Sequence, residues 1–391
     1  RWSSALAILL TCVLVYRWGR YLYGEKVALQ AAVILATTVQ VPLMGKIAFT
    51  DATLLATQTA ALLALLNYLQ APHWRWNLAL WASVALGILT KGPPIVLLVG
   101  GVWVLLLLLH PKRKRLVGTH PWVFGPLALL PFAAWAYAAY AQDYHCWEQV
   151  GQEQPFDEWW QVEDAGGRKV HLLPFLWDWY VLKRIGGAVL GQTGFPGYHL
   201  VVLLVAFLTW MPLLLWTLRG VFLGALRKKE RMEGLLPLLC WIAMGWWFWE
   251  LMSSKLPSYA LGAHPALALS MALLGQRMPQ DKPLTNPWLK VGLLLHHLVF
   301  GAMIIGLPVV GFYGLGQWTL WYLVPMSVGL LVALLAFWRK PLNYTRLLQC
   351  TALFGGVFML LLWLFVAPVV EQSPAKSLDN VVETTRQAVP L

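Results

Sequence analysis

Long apolar runs follow one another along almost the whole chain, separated by short polar stretches or by glycine and proline. A run of about 18 or more apolar residues is long enough to cross a bilayer as a helix. The stretch Lys91-Gly92-Pro93-Pro94 divides one longer run in two, because proline after glycine breaks a helix. With that division the pattern predicts twelve spans, at 3–22, 27–45, 50–70, 77–90, 92–109, 120–141, 198–218, 235–252, 258–275, 289–312, 318–337 and 344–367.

The predicted fold class is therefore all-α, a polytopic transmembrane helical bundle of about twelve spans. Composition supports this class, since 59% of the 391 residues are hydrophobic and only 12% are charged, against about 25% charged in a typical soluble domain. So few polar residues could not cover a soluble surface. No repeat of fixed period interrupts the pattern, and residues 1–367 are predicted to form one membrane domain.

The basic residues indicate which loops face the cytoplasm. When alternate loops are assigned to two sides of the membrane, one side receives 19 lysines and arginines and the other receives 10. The larger group is concentrated in short loops, such as 112–115, where positive charge sets orientation most strongly. That side is predicted to be cytoplasmic. The opposite side carries the one large loop, 142–197, whose tryptophans and acids predict helices lying flat at the membrane interface.

The net charge of +12 does not indicate nucleic-acid binding, because no basic stripe accompanies a nucleic-acid fold motif. Cytoplasmic loops, anionic membrane lipid and phosphorylated substrates explain the excess better. Three of the four cysteines lie inside apolar runs, so neither a disulfide framework nor a thiolate metal site is predicted. For His296-His297, within an apolar span, a packed or helix-bonded pair is favoured over a metal site.

The candidates for chemistry are polar residues at the predicted outer ends of the spans. A charge at the edge of an apolar helix costs desolvation energy and needs a partner or a function. Lysine supplies the point charge that a phosphate needs, and aspartate can activate a hydroxyl or hold a divalent ion. The pattern therefore predicts a phosphate site near the outer face of the membrane. The residues that would form it are Lys46 and Asp51, Lys91 in ILTKGPP, Lys183 and Arg184 closing the large loop, and Lys255, Tyr259 and His264 in MSSKLPSYALGAHP.

Each candidate also has a purely structural interpretation. Asp51 follows Thr50 before an apolar run, so it either caps a helix or points its acid into a cavity. Lys91 and Lys255 either snorkel to headgroups or line a wet cavity. The nearby prolines favour the cavity, since irregular backbone in a membrane must be buried or hydrated. For Lys183-Arg184, an interfacial anchor is the favoured interpretation.

Several motifs resemble blocks of the membrane glycosyltransferases that use polyprenyl-phosphate-linked sugars. These are the GT-C class, which includes aminoarabinose transferases of lipid A and protein O-mannosyltransferases. The blocks are TDATLLATQTAALLALL (50–66), GILTKGPPIVLL (87–98) and SSKLPSYALGAHPALAL (253–269). The opening residues and 191–216 also resemble the class, in the same order, so the similarity runs almost end to end. It implies a thirteen-span fold whose first span, with the principal catalytic acid after it, would precede Arg1. It also implies that 368–391 begins a soluble periplasmic tail.

The resemblance assigns roles to particular residues. It implies that Asp51 is the second acidic position of the catalytic site, that Lys91 is the lysine of the TKG motif, and that Lys255 and Tyr259 lie near the lipid phosphate. Lys46, Lys183 and Arg184 are the further candidates for phosphate binding. Where members carry a Glu-His pair followed by Arg, this chain reads VLKRIG at 181–186, so no metal ligand is assigned there. No cofactor is certain, and a divalent metal ion is left open.

The function implied by the resemblance is transfer of a sugar from a polyprenyl-phosphate donor to a hydroxyl or phosphate of a glycolipid or protein acceptor. The expected location is a bacterial inner membrane, with the active face towards the periplasm. Two alternatives stay open. A transporter or flippase predicts ionisable residues at the membrane midplane and paired broken helices, and a catalytically inactive relative is the other.

Overall fold

A computed structural model of the chain describes residues 2–47, 49–141, 145–148, 168–171, 194–224, 234–278, 280, 282–338, 342–366 and 369. The α-helices are α1 (Trp2–Tyr23), α2 (Glu25–Ala36), α3 (Gln40–Lys46), α4 (Asp51–Gln70), α5 (Trp74–Lys91), α6 (Pro93–Leu109), α7 (Pro121–Ala141), α8 (Tyr198–Ala206), α9 (Met211–Gly224), α10 (Leu236–Ile242), α11 (Phe248–Glu250), α12 (His264–Gly275), α13 (Pro287–Leu315), α14 (Leu320–Leu335) and α15 (Tyr344–Leu361). Shorter 3₁₀ segments are Arg113–Thr119, Leu208–Trp210, Pro257–Ala263, Gln317–Thr319 and Ala336–Trp338, and π-helical segments are Ala243–Trp247 and Leu362–Val366.

Two short strands, β1 (His145–Glu148) and β2 (Arg168–His171), pair antiparallel, with His145 opposite His171 and Glu148 opposite Arg168. They fall within the predicted outer loop 142–197, where the sequence predicted interfacial helices and not strands. The tryptophans on which those helices were predicted lie outside the described residues. Apart from this pair, every described element is helical, which confirms the predicted helical class.

The helices occupy the predicted apolar runs, but the predicted count of about twelve spans is not confirmed. Among the described residues, six helices are long and apolar enough to cross a membrane, or up to eight if each of two bent helix pairs is one span. The shortfall arises because some runs form shorter or divided helices. Helix α6 has 17 residues, and the predicted span 235–252 is divided between α10, a π-helix and α11. The apolar helices indicate an integral membrane protein.

The chain divides into two compact units, the first comprising Arg1–Leu35, Leu43–Ala206 and Gly220–Leu273 and the second comprising Ala36–Pro42, Phe207–Arg219 and Leu274–Leu391. In the first unit, α4 packs against α1, α5 and α6 and is buried over almost its whole length, as expected of a helix that is hydrophobic all round. Its buried Asn67 is satisfied, because Nδ2 donates to the carbonyl oxygens of Leu63 at 2.8 Å and Trp18 at 3.2 Å.

The second unit contains α13, α14 and α15, which pack around a cluster of rings. His296 is fully buried there, with ring centroids 4.8 Å from Phe300, 5.4 Å from Phe337 and 4.8 Å from Phe354. The imidazole therefore fills space within an aromatic core, in agreement with the packing interpretation of the His296-His297 pair.

Two helix breaks meet in this second unit. Helices α2 and α3 are bent by 60°, and α8 and the segment Leu208–Gly220 are bent by 76°. Thr37, at the first break, accepts a hydrogen bond at its carbonyl oxygen from Thr209 Oγ1 at 2.8 Å and at its own Oγ1 from Trp210 Nε1 at 2.9 Å. A carbonyl released from a helix inside a membrane needs an internal partner, and the second break supplies it.

Candidate active site

Asp51 and Lys91 come together although 40 residues separate them in sequence. Lys91 Nζ lies 2.5 Å from Asp51 Oδ1. Asp51 is the first residue of α4 and Lys91 is the last of α5, so each charge complements the dipole of its own helix. The chain can turn directly after Lys91 because Gly92 adopts φ +74°, a conformation that favours glycine.

A cleft with about 140 Å³ of internal space lies beside this ion pair, within the first unit. Its lining is mainly apolar, with a few polar groups, which is the usual character of a site for a small molecule or a lipid. Asp51 therefore faces a cavity, as one of its two interpretations predicted. It does not cap the helix, because Thr50 holds the N-cap position and no side-chain capping hydrogen bond is present there. The lining consists of Asp51, Leu54 and Gln58 of α4, of Lys91, Pro93, Pro94 and Leu97, and of Phe248, Trp249, Met252, Ser254, Ser258, Tyr259, Leu261 and Gly262.

Two aromatic residues form one wall of the cleft. The rings of Trp249 and Tyr259 lie 4.6 Å apart between centroids, tilted by 36°, and the ring of His199 lies roughly parallel to that of Tyr259 at 6.4 Å. Tyr259 reaches this position because the chain is extended at Leu256 and then starts a 3₁₀ helix at Pro257. Aromatic faces of this kind suit sugar rings and isoprenoid chains, which present C–H groups and apolar surface.

Lys255 lies next to the cleft but outside its described lining. The side chain is only 6% exposed, and Nζ donates to the backbone oxygen of Glu250 at 2.8 Å and to Glu250 Oε2 at 3.2 Å. Its stem passes Gly194 so closely that a Cβ there would lie 2.7 Å from Lys255 Cδ. Lys255 is thus paired with a carboxylate, whereas simple snorkelling to headgroups would leave it exposed.

Glu250 also binds the start of α8. Its Oε2 accepts from the backbone N–H of Gly197 at 3.2 Å and its Oε1 from that of Leu200 at 3.1 Å. His199 Nδ1 lies 3.7 Å from Oε1, while His199 Nε2 is 3.1 Å from the backbone oxygen of Leu256. A carboxylate at a helix N-terminus is stabilised by the helix dipole and by the free N–H groups of the first turn.

The sequence alone did not predict Glu250, Gln58 or His199 as site residues. Glu250 and Gln58 carried a usable signal, because a lone acid or amide within an apolar run is costly and is therefore informative. Gln58 also follows Asp51 by seven residues, which places both on one face of α4. His199 had no comparable signal, since only the fold brings it to Glu250 and Tyr259.

The other candidates lie elsewhere. Lys46 is exposed at the end of α3 and is not among the residues that line the cleft. His264 is fully buried, with Nδ1 3.2 Å from the backbone oxygen of Ala260. Lys183 and Arg184 lie outside the described residues.

A divalent ion needs several oxygen or nitrogen ligands. Within the described part of the chain, no three His, Cys, Asp or Glu side chains form a group that could hold one. At the cleft, Asp51 is paired with Lys91. The described donors at the cleft therefore do not make up such a set.

Comparison with known proteins finds related membrane transferases. Residues 1–137 match the family model described as dolichyl-phosphate-mannose-protein mannosyltransferase. Over 275 residues the chain is 30% identical to the undecaprenyl phosphate-α-4-amino-4-deoxy-L-arabinose arabinosyl transferase 2 of Sodalis glossinidius, covering 69% of this chain and 44% of that protein. Over 337 residues it is 29% identical to the corresponding transferase of Pectobacterium atrosepticum, covering 81% of this chain and 53% of that protein. The chain thus spans about half the length of these relatives.

Two solved structures share the fold. The crystal structure of ArnT from Cupriavidus metallidurans bound to undecaprenyl phosphate superposes with a TM-score of 0.68 at 18% identity, over 95% of this chain and 63% of that one. The apo structure of the same protein superposes with a TM-score of 0.64 at 20% identity, over 94% of this chain and 62% of that one. Together with the relatives, these matches confirm the resemblance to polyprenyl-phosphate-sugar glycosyltransferases that the motifs at 50–66, 87–98 and 253–269 predict.

Proposed function

We propose that this protein transfers a sugar from a polyprenyl-phosphate-linked donor to a hydroxyl or phosphate of a glycolipid or protein acceptor. The observation that carries the proposal is the Asp51–Lys91 ion pair in the wall of an apolar cleft that also has an aromatic wall. A polyprenyl-phosphate sugar has matching parts, namely an anionic phosphate, a sugar ring and an apolar chain. The named activity of the relatives points to the same class of donor.

Each side chain has a role in this proposal. Lys91, with 28% of its side chain exposed, binds the donor phosphate, and Lys255 and Tyr259 lie close to that phosphate, as the motif resemblance implies. Trp249 and Tyr259 hold the sugar or the first isoprene units. When Lys91 turns to the phosphate, Asp51 is released from its ion pair and becomes available as a base.

The reaction is a displacement at the anomeric carbon of the sugar. The acceptor oxygen forms a bond to this carbon while the bond from the carbon to the phosphate oxygen breaks, and polyprenyl phosphate leaves with the electron pair. The acceptor proton passes to a carboxylate, for which Asp51 is the candidate within this chain. Lysine stabilises the negative charge that builds on the departing phosphate, which is the main electrostatic requirement of such a transfer.

The proposal extends to the membrane arrangement. In it, about twelve spans cross a bacterial inner membrane and the site faces the periplasm. The basic cluster at 112–115 supports this orientation, because Arg115 Nη1 donates to the backbone oxygen of Leu69 at 3.2 Å, near the end of α4 opposite Asp51. Positive charge in short loops marks the cytoplasmic side.

The transporter alternative gains one expected feature and lacks the other. The two bent helix pairs are the kind of broken helix that transporters use. However, the breaks at 37–39 and at Phe207 contain no ionisable residue, and the Thr37 carbonyl at the first break bonds Thr209 and so is not left free to bind an ion. The features at these breaks therefore favour a structural role.

Binding of undecaprenyl phosphate and of undecaprenol, the same lipid without phosphate, tests the proposal. With the purified 391-residue chain, we expect preferential binding of the phosphorylated lipid, measured by native mass spectrometry. In Lys91→Gln, the preference should fall about tenfold, because a hydrogen bond from a charged group is lost. The amide still bonds Asp51, so the fold is retained.

Lys26→Gln is the matched control, since Lys26 is an exposed lysine on the predicted cytoplasmic side and its loss should leave the preference unchanged. Equal binding of both lipids by the unaltered chain would contradict the proposal. Transfer is then assayed with undecaprenyl phosphate-α-4-amino-4-deoxy-L-arabinose and lipid A, the first pair to test because the relatives are named for that donor.

A further inference from the structure

The two lysines at the cleft are both neutralised by carboxylates within the protein. Lys91 is paired with Asp51 at 2.5 Å and Lys255 with Glu250 at 3.2 Å. These two pairs carry no net charge. A phosphate that enters the cleft therefore has to compete with a carboxylate for either lysine, and its binding is an exchange of counter-ions.

Both carboxylates keep other stabilising contacts if their lysine leaves. Asp51 is the first residue of α4 and remains at the positive end of the helix dipole. Glu250 retains the N–H groups of Gly197 and Leu200 at the start of α8. A carboxylate that accepts several backbone hydrogen bonds stays charged and satisfied without a cation, so releasing the lysine costs less than breaking an isolated buried pair.

Glu250 also accounts for the position of Lys255. Ser254, Ser258 and Tyr259 line the cleft, whereas Lys255 does not, and its ammonium lies against Glu250. Lysine has a long flexible stem, so its charge can move when a stronger anionic partner arrives. The neighbours of Lys255 in sequence show that its backbone already borders the cleft.

We propose that Glu250 is an internal counter-ion of Lys255 which the donor phosphate displaces, so that Glu250 sets the affinity of the site for the phosphate-linked lipid. This proposal rests on the proposed function and adds a positioning residue to it. Glu250 acts through Lys255 and need not touch the substrate. After transfer the exchange runs in reverse, and the return of Glu250 to Lys255 assists release of polyprenyl phosphate.

The decisive variant is Glu250→Gln. Its amide oxygen can still accept from Gly197 or Leu200, but it no longer neutralises Lys255. We expect undecaprenyl phosphate to bind roughly fivefold more tightly than to the unaltered chain, as for the loss of a competing ion pair of about 1 kcal/mol. Binding of undecaprenol should not change. Damage to the fold would weaken binding, so a gain of affinity cannot be attributed to it.

The gain should depend on Lys255. In a Lys255→Met background, Glu250→Gln should give no tighter binding of undecaprenyl phosphate, because no ammonium remains to be released. Glu25→Gln is the matched control, since Glu25 is exposed. Among the contacts described for its side chain, it accepts one hydrogen bond, from Tyr16 Oη at 3.3 Å. Glu250→Asp keeps the charge, and its shorter side chain should produce a smaller gain in the same direction, which provides a second test if Glu250→Gln does not fold.

The outcomes separate the two proposals. If the unaltered chain prefers undecaprenyl phosphate to undecaprenol but neither Glu250 variant binds it more tightly, the counter-ion proposal is wrong and the proposed function stands. A gain that persists in the Lys255→Met background also overturns it, since Glu250 would then act by direct repulsion. If the unaltered chain shows no preference for the phosphorylated lipid, the proposed function itself fails.

Discussion

At the scale of single residues, the helix ends decide where charge can lie in this membrane protein. Asp51 begins α4 and Lys91 ends α5, and Glu250 binds the N–H groups that begin α8. In each position the charge is complemented by the dipole or the free N–H groups of a helix end. Ionisable side chains can therefore be kept beside an apolar cleft at a low desolvation cost.

A substitution of Asp51 tests its role as a base. Asn in place of Asp51 can still accept from Lys91 through its amide oxygen, but it cannot take a proton. We expect kcat for sugar transfer to fall about 10²–10⁴-fold, the usual contribution of a general base, while undecaprenyl phosphate remains bound. The measurement is transfer kinetics with parallel lipid binding, and Glu25→Gln is the control. Undiminished turnover in Asp51→Asn would show that another group accepts the proton.

At the scale of the elements, the two helix breaks depend on each other. Helix α2 ends at Ala36, directly before Thr37. From the second bent pair, Thr209 binds the carbonyl oxygen of Thr37 and Trp210 binds its Oγ1. Where the surroundings are apolar, such a joint must be closed by internal hydrogen bonds. These hydrogen bonds therefore hold the two breaks together within the second unit.

Thr209→Val should weaken this joint, because the side chain keeps its shape and loses the hydrogen bond to the half-buried Thr37 carbonyl. Loss of one hydrogen bond costs about 0.5–1.5 kcal/mol, so we expect a lower melting temperature of the detergent-solubilised chain. Thr351→Val is the matched control, since Thr351 is equally buried and its Oγ1 bonds the Leu347 carbonyl of its own helix at 2.6 Å. Equal melting temperatures for the two variants would refute the special role of Thr209.

At the scale of the whole molecule, the alternation of basic loops predicts one orientation in the membrane. The ion pair at Asp51 and the basic segment at 112–115 are placed at different ends of the first unit, since Arg115 binds the C-terminal carbonyls of α4 and Asp51 begins that helix. Orientation is set during insertion by the basic residues of short loops. The cleft should consequently open towards the outer side.

Single cysteines introduced at Phe49 and Arg113, in a chain lacking its four native cysteines, test this orientation. Phe49 is 60% exposed and lies two residues before Asp51. In intact bacterial spheroplasts, a membrane-impermeant maleimide should label Phe49→Cys, whereas Arg113→Cys should be labelled only after the membrane is opened. The reverse pattern would place the cleft on the cytoplasmic side and contradict the periplasmic site.

The apolar pattern by itself determined the helical class, the membrane setting and most helix boundaries, because long apolar runs have one stable arrangement in a bilayer. It also predicted that Asp51, Lys91, Lys255 and Tyr259 lie at one end of the spans, since charged and polar side chains in an apolar helix are tolerated mainly at its ends. The motifs at 50–66, 87–98 and 253–269 carried the resemblance that the comparisons confirm. The number of spans did not follow, because hydropathy does not show where a run bends or divides.

Only the tertiary structure decided which of those end residues meet. Helices that are distant in sequence are brought together by packing, and a hydropathy pattern contains no information about which neighbours pack. Packing pairs Lys91 with Asp51, which is 40 residues away, and turns Lys255 from the cleft towards Glu250. It also brings Tyr259 beside Trp249 in the cleft wall. The sequence thus predicts which charged side chains lie at the ends of the helices, and the fold decides which of them form ion pairs.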